Sequence, residues 1–581
     1  MRTLRGALRR GLDAHETLRA GRLLQRATPA GLRVDLLGQC TTSWLAQALR
    51  AAAWRDGLVL ELREGGYDNV LQELLASGQA PPAAVMLLPW HQRLLAAGCE
   101  PAARVDDELA FWEGAWRQVQ RLGARLLQVG YDWTGPGALG AHLSARGGAI
   151  AAIRRLNDAL RERLPEGAYF VDLEQVSGAL GRERFYDPRS QAWTRQPFGE
   201  EGAQRLGEHL AAGLRALTSG PKKVLVVDLD DTVWGGVVGE DGALGLEVSD
   251  SPAGAAFRAF QGHLKALAAG GCLLAACSKN DPAAAREPFL ANPSMVLRLE
   301  DFAAFEASWD PKSVALERIA RDLRLGLDSF VFFDDNPAER EQVRQALPEV
   351  AVVEVPAEPA EYVRALERGL WFEATHVGPA DLKRAAHYQG EQARREHQER
   401  FATLDDYLES LEMRATLAAV DVATLPRVVQ LLGKTNQFNL TTRRHSREQV
   451  ERLLAIPRAL GLTLSLSDRF GDSGLVAVVL GAPRDDAPEV FRLDTFLMSC
   501  RVIARGVEAC LVGEVAARAR ELEFTWLEGE FMPNARNGLT AELYPGFGFA
   551  PLADEGDGVR RFRASLAELT PPRHFVQVVP D

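Results

Sequence analysis

Short apolar runs alternate with amphipathic stretches through the first 220 residues. The runs Val34–Gly38, Leu58–Leu62, Ala84–Leu88, Arg125–Val129 and Tyr169–Leu173 have strand length. Between them, stretches such as Thr42–Ala53 and Asp107–Leu122 repeat apolar residues at helical spacing. A helix over Glu201–Leu217 closes the block, and Thr218-Ser219-Gly220-Pro221 is a breaker cluster that marks a boundary. Strand and helix alternating in this way predict a mostly parallel sheet covered by helices.

A second block with the same rhythm opens with the strand Lys223–Val227 and runs to about Phe372, with further strands Leu273–Ala276 and Phe330–Phe333. Residues Thr375–Arg400 are polar, charged and helical in pattern, and read as a connector. From about Glu412 the order changes. Strands Leu462–Leu466, Leu475–Leu480 and Leu493–Met498 mix with helices Leu425–Leu432 and Ile503–Ala519, which predicts an α+β block. Near the start, Leu4, Leu8 and Leu12 fall at helical spacing in an Arg-rich stretch, expected to dock on its own protein rather than on a membrane surface. The expected class is multidomain α/β. The expected divisions are a helical segment (1–30), an α/β domain (31–219), a second α/β domain (220–375), a connector (376–410) and an α+β domain (411–581).

Composition narrows the function classes. The chain has 581 residues, 46% of them hydrophobic and 25% charged, which excludes a disordered chain, a fibre and a disulfide scaffold. Its formal charge of −12 argues against nucleic acid as the main partner, because that needs a basic footprint. The six cysteines, Cys40, Cys99, Cys272, Cys277, Cys500 and Cys510, include no CxxC pair, so no zinc site is expected. No apolar run is long enough to span a bilayer. A cytoplasmic, free-thiol protein with no membrane partner is the expectation. Only seven of the 67 basic residues are Lys; a coding bias toward Arg accounts for most of that, and a Lys that survives it hints at a place where an ammonium rather than a guanidinium is wanted.

The second block carries the chemistry. In KVLVVDLDDT an apolar strand ends at Asp228, and Asp230 follows two residues on, facing the same way. Open parallel sheets present ligands at the carboxyl ends of their strands. One carboxylate can attack phosphorus while the other handles a proton. LLAACSKN ends another strand at Ser278, SWDPKS supplies Lys312, and FVFFDDNPAERE ends a third strand at Asp334 and Asp335. Carboxylates on two strand tips repel unless a cation sits between them, and hard oxygen ligands suit Mg2+. The bland alternative is an acidic strand end that caps the next helix.

This ordered set resembles the haloacid dehalogenase (HAD) superfamily. The resemblance implies Asp228 as nucleophile, forming an aspartyl-phosphate, and Asp230 as general acid/base. It implies Ser278, Lys279 and Lys312 as phosphate-binding residues. Mg2+ would be held by Asp228, the backbone carbonyl of Asp230, and Asp334, with Asp335 in support. Asp228 and Ser278 lie 50 residues apart and Ser278 and Lys312 lie 34 apart, which leaves no room for a large lid. An open site suits a bulky substrate, such as one carried on another protein, unless a neighbouring domain covers it.

A narrower likeness covers about Pro221 to the C-terminus. The stretches VVDLDDTVWGGVVGEDG, CSKND, FVFFDDNPAERE, KTNQFNLTTRR and FLMSCRVIARGVE resemble the FkbH-like family, which pairs an HAD domain with an acetyltransferase-like (GNAT-like) domain. The resemblance implies that a three-carbon unit is drawn from 1,3-bisphosphoglycerate, loses phosphate, and is delivered as a glyceryl thioester to an acyl carrier protein of a polyketide pathway. Arg501-Val-Ile-Ala-Arg505-Gly506 approximates the acetyltransferase pattern (Gln/Arg)-x-x-Gly-x-(Gly/Ala), with Ala504 in the first Gly place. Backbone N–H groups at such a helix start bind phosphate, including that of phosphopantetheine. Asn534, Asn537 and Tyr544 precede GFGF, as in that fold. Cys500, beside Arg501 at the helix start, is expected to have a lowered thiol pKa and to carry the acyl group; the alternative is a buried small hydrophobe. Cys277 is the second candidate. Lys434, Asn436 and Gln437 form a polar cluster suited to glyceryl hydroxyls or pantetheine amides, or else a helix-ending turn.

The first domain resembles a flavodoxin-like SGNH hydrolase in pattern, but its catalytic set looks incomplete. Cys40, Thr41 or Ser43 stands where that family has its Ser, and Asp187 has no His three residues on. His209, on the last helix, reads as structural. The domain is expected to be non-catalytic, a carrier-protein dock or a cover. Two rival readings of the whole chain remain: a plain Mg2+-dependent HAD phosphatase, and a carrier-protein scaffold with no chemistry.

Overall fold

The apolar runs of the first block fold as β1 (Leu32–Gly38), β2 (Leu60–Glu64), β3 (Ala84–Leu88), β4 (Arg125–Val129) and β5 (Tyr169–Val171). They form one sheet in the order β2-β1-β3-β4-β5, and every pairing is parallel. The coordinates are a computed structural model that describes residues 2–27, 31–76, 81–91, 94–95, 101–134, 143–145, 147–375, 390, 393–394, 397–398, 400–434, 438–499, 502–534, 537–553 and 558–579. The chain forms two compact units, Met1–Ala385 and Ala386–Asp581.

Two predicted strand positions shift. The run at Leu58 starts pairing only at Leu60, because Leu58 and Val59 belong to the turn after helix Ser43–Arg55. The last run ends at Val171, because the Asp172 side chain accepts from the Gln175 amide and so caps a helix that begins at Leu173. Helices Ser43–Arg55 and Glu200–Thr218 pack on one face around Leu45, Leu49, Leu206 and Leu210. Helices Val105–Arg121 and Ala149–Arg163 cover the other face around Trp112, Trp116, Ile153 and Leu156. The N-terminal amphipathic stretch forms helix Arg2–Arg10, which buries Leu8 against Ala20 and Ala51.

The second sheet of this unit holds β6 (Val224–Val227), β7 (Leu273–Ser278), β8 (Phe302–Ala307), β9 (Phe330–Phe333) and β10 (Ala351–Val352), in the order β10-β9-β6-β7-β8 and all parallel. β6, β7 and β9 are buried along their whole length, which is why their sequences are continuous apolar runs. β8, not foreseen from the sequence, lies on the edge and is half-buried over its second half. The chain leaves β6 in one direction through β7 and β8, then returns to the other side through β9. The switch point therefore lies between β6 and β9.

The second unit is built on an eight-stranded sheet in the order β16-β17-β15-β14-β13-β12-β11-β18. The strands are β11 (Arg414–Ala419), β12 (Leu460–Asp468), β13 (Gly471–Arg484), β14 (Ala487–Met498), β15 (Trp526–Phe531), β16 (Ala550–Pro551), β17 (Arg560–Ser565) and β18 (Gln577–Val579). β12, β13 and β14 form an antiparallel meander, whereas β14 and β15 run parallel across helix Val507–Glu521. Most of the expected connector lies outside the described residues, as do Cys99, Asn436, Gln437, Cys500 and Arg501 and the side chain of Lys434. Among the described residues no helix is long and apolar enough to cross a membrane.

Candidate active site

Two neighbouring strand tips at the β6/β9 switch point carry the acidic groups. Asp228 follows β6, and its amide donates to Phe333 O at 3.0 Å, which locks it beside the end of β9. Asp334 and Asp335 follow β9. Ligand oxygens of Asp228, Asp334 and Asp335 lie within 4.8 Å of one another.

Lys312 is the first residue of helix Lys312–Leu323, and its ammonium enters this cluster from below the helix start. Its Nζ stands 2.6 Å from Asp228 Oδ1 and 3.3 Å from Asp334 Oδ2, and donates to Cys277 O at 2.7 Å. The residue is only 2% exposed. An ammonium so deeply buried needs partners, and here two carboxylates and a carbonyl supply them. Burial opposes its charge, but Asp228, then Cys277 and Asp334, outweigh that and hold the ammonium above its ordinary value. Burial pushes the Asp228 carboxyl up to about 6; Lys312 pulls against this and Asp334 adds to it. Asp334 and Asp335 are also raised, chiefly by burial.

The donor set fits a hard divalent cation. Asp334 Oδ1 accepts from the Asn336 amide at 2.9 Å, but its Oδ2 is buried without a hydrogen-bond partner. Three carboxylates against one ammonium leave excess negative charge at the site, and oxygen-only ligands at this spacing suit Mg2+.

Asp230 is placed differently. Its Oδ1 accepts from Trp234 Nε1 (2.9 Å) and the Val238 amide (3.0 Å), and its Oδ2 accepts from Asn280 Nδ2 (2.7 Å). The tight loop that makes this geometry runs through Asp231, whose φ of 50° is left-handed and whose carboxylate accepts from the Gly236 amide at 2.9 Å. Asn280 also donates to Ser278 Oγ at 3.0 Å, so Asn280 links the Asp230 carboxylate to the tip of β7. Lys279 is directed elsewhere: its Nζ donates to Glu339 Oε1 at 2.5 Å at the partly exposed rim. It therefore does not join Ser278 and Lys312. Cys277 is fully buried, with its thiol pushed up to about 12 by burial, so it is a protonated small hydrophobe rather than a nucleophile.

Sequence reasoning missed Asn280 and Thr232. The Thr232 hydroxyl donates to Asp335 Oδ1 and accepts from the Asp335 amide, both at 3.1 Å, and so fixes the second strand tip to the first. The signals were present as Asn280 in CSKND and Thr232 in DLDDT, each two residues beyond an assigned position.

In the second unit, β14 and β15 pair only from Val490↔Trp526 to Leu493↔Gly529. Beyond that they part, and the segment Phe438–Leu440 fills the gap. Leu440 N donates to Phe496 O (3.1 Å), Met498 N to Phe438 O (2.9 Å) and Met532 N to Leu440 O (2.8 Å). Asn537 fastens this arrangement through Nδ2, which donates to Asn439 O (3.1 Å) and Met532 O (2.8 Å). Tyr544 packs flat against Gly529, where a Cβ would stand 2.2 Å from the ring, so only glycine fits. Its hydroxyl is buried without a partner, and its pKa is raised by burial and by Glu530. Arg505 Nη1 lies 3.4 Å from Asp468 Oδ2. Gly506 is the left-handed N-cap of helix Val507–Glu521, which begins four residues later than expected because Ala504 and Gly506 both take positive φ.

Among the described residues, the first sheet shows no comparable cluster of carboxylates at its strand tips. Cys40 is 3% exposed and burial pushes its thiol far up. Thr41 Oγ1 donates to Thr194 O (2.7 Å), Ser43 starts a helix, and Asp187 caps one. Burial lowers His209 to about 4, in keeping with a structural side chain. The conspicuous carboxylate is Asp132, after β4, which the sequence did not single out. It accepts from Tyr186 OH (2.8 Å), from Arg182 Nη2 (2.9 Å) and from Ser177 Oγ.

Several solved proteins are similar to parts of this chain. The N-terminal part of the protein BF1531 from Bacteroides fragilis, containing a phosphatase domain complexed with Mg, is 29% identical. The match covers 63% of this chain and all of that one, with a TM-score of 0.57. The GNAT domain of S. lividans PAT is 18% identical over 26% of this chain and 89% of its own, with a TM-score of 0.22. The ribosomal-protein-S18-alanine N-acetyltransferase from Escherichia coli is 13% identical over 26% of this chain and 94% of its own, with a TM-score of 0.21. No protein-family model matches the chain. No curated protein matches it either. The chain is a mixed α/β protein of two compact units and is similar over 63% of its length to a structure that contains a phosphatase domain.

Proposed function

We propose that the chain is a Mg2+-dependent enzyme of the HAD type that handles an acyl phosphate and hands the acyl group on as a thioester. The observation that carries this reading is Lys312, buried between Asp228 and Asp334, where Asp334 Oδ2 has the ammonium at 3.3 Å and no hydrogen bond. A fold gains nothing in stability from three clustered carboxylates. A phosphoryl group with its cation is a ligand that uses all of them. The likeness to the Mg-complexed BF1531 fragment supports the same reading.

In this reading a thiol attacks the acyl carbonyl and the acyl phosphate's own phosphate leaves, whereas Asp228 attacks the phosphorus of a phosphate ester elsewhere on the acyl unit. Asp230, held by Trp234, Val238 and Asn280, gives a proton to the leaving alkoxide oxygen and then takes one from the water that hydrolyses the aspartyl-phosphate to inorganic phosphate. Lys312 and Ser278 orient the phosphoryl oxygens. Asp228, Asp334 and Asp335 would hold Mg2+, joined by the Asp230 carbonyl; the ion would neutralise charge on the transferring group.

The finer reading follows the FkbH-like resemblance of the sequence. The acyl phosphate is 1,3-bisphosphoglycerate, the product is a glyceryl thioester on the phosphopantetheine of an acyl carrier protein, and Cys500 carries the acyl group in between. Arg501, Arg505 and Gly506, with Lys434, Asn436 and Gln437, belong to the pantetheine side of this proposal; Asn537 and Tyr544 do not reach it, because both are fully buried, Asn537 on Asn439 O and Met532 O and Tyr544 against Gly529. Intact-protein mass spectrometry after incubation with 1,3-bisphosphoglycerate, Mg2+ and a holo carrier protein tests it. A glyceryl adduct on the carrier that disappears in Cys500→Ser supports the reading. Phosphate release with no protein-bound acyl group instead assigns a plain phosphatase. No phosphate release at all removes the enzyme reading.

A further inference from the structure

At the opposite end of the second sheet from Asp228 lies a cavity of about 1610 Å³. Its walls come from helix Arg2–Arg10, the end of helix Ser43–Arg55, helix Glu200–Thr218, and the residues just before β6 and β9. It is separate from the acidic site, because Lys223 and Ser329 precede the strands whose far ends carry Asp228 and Asp334.

Three cations reach into this cavity without a counter-ion. Among the described residues, no carboxylate forms an ion pair with Arg5, Arg9 or Lys222. Arg5 and Arg9 each direct Nε at Arg55 O (both 3.4 Å), and Arg9 Nη1 donates to Pro348 O at 2.6 Å. Lys222 Nζ donates to Asp328 O. All of these acceptors are neutral carbonyls. The nearby carboxylates are already engaged: Asp56 with Arg55 (2.9 Å) and Arg215, Glu208 with Arg55 (3.4 Å) and Arg205 (2.9 Å). Arg215 is 5% exposed and its Nε is buried with no partner. Asp328 and Glu349 face the cations only from beyond ion-pair distance.

This arrangement is costly as it stands. Burial weakens the charged form of Arg5 and Arg9, and Arg5 further disfavours Arg9. Burial, then Arg215, brings Lys222 down to about 8. The position of Arg5 is nevertheless built in. Gly57, at φ 91°, leaves bare the spot where a Cβ would stand 2.3 Å from Arg5 Nη2. Desolvated like charges held together by the fold are what an anion would relieve.

We infer that this cavity binds a small, multiply charged phosphate-bearing anion through Arg5, Arg9, Lys222 and Arg215. A phosphate places about two charges and three acceptor oxygens on one centre, which matches donors converging from separate elements. Guanidinium forks add geometric selectivity. Arg9 and Lys222 come from opposite walls, so an occupant also ties helix Arg2–Arg10 to the second sheet. The inference does not rest on the phosphatase reading.

Inorganic pyrophosphate is the probe, titrated calorimetrically into the full chain in excess EDTA, where the acidic site has no cation to hold a phosphate. Expected is one site per chain, weakened by added salt. Arg9→Gln and Lys222→Gln should each weaken binding by at least about tenfold, while Ser278→Ala leaves it unchanged. Absence of binding, indifference to both cavity substitutions, or loss in Ser278→Ala each overturns the inference. The unaltered chain supplies a check free of variants: its Tm in EDTA should rise with pyrophosphate, and a flat Tm overturns the inference equally.

Discussion

The two parallel sheets of the first unit share an architecture and differ in what their strand tips leave unsatisfied. Each has a switch point where strands diverge and a crevice can form. At the tips of the first sheet, the buried carboxylate Asp132 accepts from a hydroxyl, a phenol and a guanidinium. The orphans there are neutral donors, Gln39 Nε2 and Trp90 Nε1. At the tips of the second sheet, three carboxylates crowd one ammonium and a carboxylate oxygen has no hydrogen-bond partner. Saturated polar groups hold a fold together. Unsaturated charge at a strand tip marks a place where a ligand completes the set.

The sharpest way to break this contrast is to remove one acid from each sheet. Asp228→Asn should lower phosphate release more than about 1,000-fold while the chain stays folded. Release that persists would return Asp228 to a helix-capping role. Lys312→Met should abolish release and also destabilise the metal-free chain by about 3–5 kcal/mol, since Asp228 and Asp334 lose the ammonium that pairs with both. Added Mg2+ should restore part of that stability, read by chemical denaturation with and without EDTA. Asp132→Asn should cost about 3 kcal/mol, because it weakens the pairing of Arg182, yet leave kcat for phosphate release unchanged. A fall in kcat with a normal Tm would mean that the first sheet takes part in the chemistry.

The two sheets should also respond to pH in opposite senses. Asp228 is raised in the folded chain from its ordinary 3.8 to about 6, so it binds its proton more tightly folded than unfolded. Its contribution is most favourable below about pH 4 and is lost as pH rises to 6. His209 is lowered from 6.5 to about 4, so its contribution is full above 6.5 and lost as pH falls toward 4. Denaturation of the EDTA-treated chain between pH 4 and 6.5 should show Asp228→Asn removing the first slope and His209→Gln the second, each about 1–3 kcal/mol. Mg2+ should flatten only the Asp228 slope. The smallest effect concerns the second unit. Ala504 holds a φ of 64°, a region that penalises a Cβ. Ala504→Gly should therefore raise stability by about 0.5–1 kcal/mol, read as a small increase in Tm.

Much of the fold was legible because buried parallel strands must be apolar throughout. β3 and β9 coincide with the predicted runs for that reason; β4 coincides although it holds an exposed Arg125 and a buried Gln128. The edge strand β8 was not legible, since FAAFEA has no clear alternation and only its first two residues are fully buried. At the candidate site, the order of motifs along the chain announced Asp228, Asp334, Asp335 and Lys312, each next to an apolar run. Asn280 and Thr232 were less visible, because their roles come from a partner some 50 to 100 positions away: Asp230 for Asn280 and Asp335 for Thr232. Lys279 shows the converse. Adjacent to Ser278 in sequence, it faces the other way along the extended chain and pairs with Glu339 instead.

Sequence alone determined where strands and helices form and which acidic groups stand at strand ends, because periodicity and burial act over a few neighbouring residues. Tertiary structure decided which charges are neutralised. Asp132 and Asp228 look alike on paper, each an acid shortly after an apolar strand. The first meets an arginine and two hydroxyls and is satisfied; the second meets two further carboxylates and a buried lysine. The same long-range folding brought Arg5, Arg9 and Lys222 together without counter-ions, over separations that no local pattern encodes. Electrostatic energy depends on distances through space, and only the folded chain sets those.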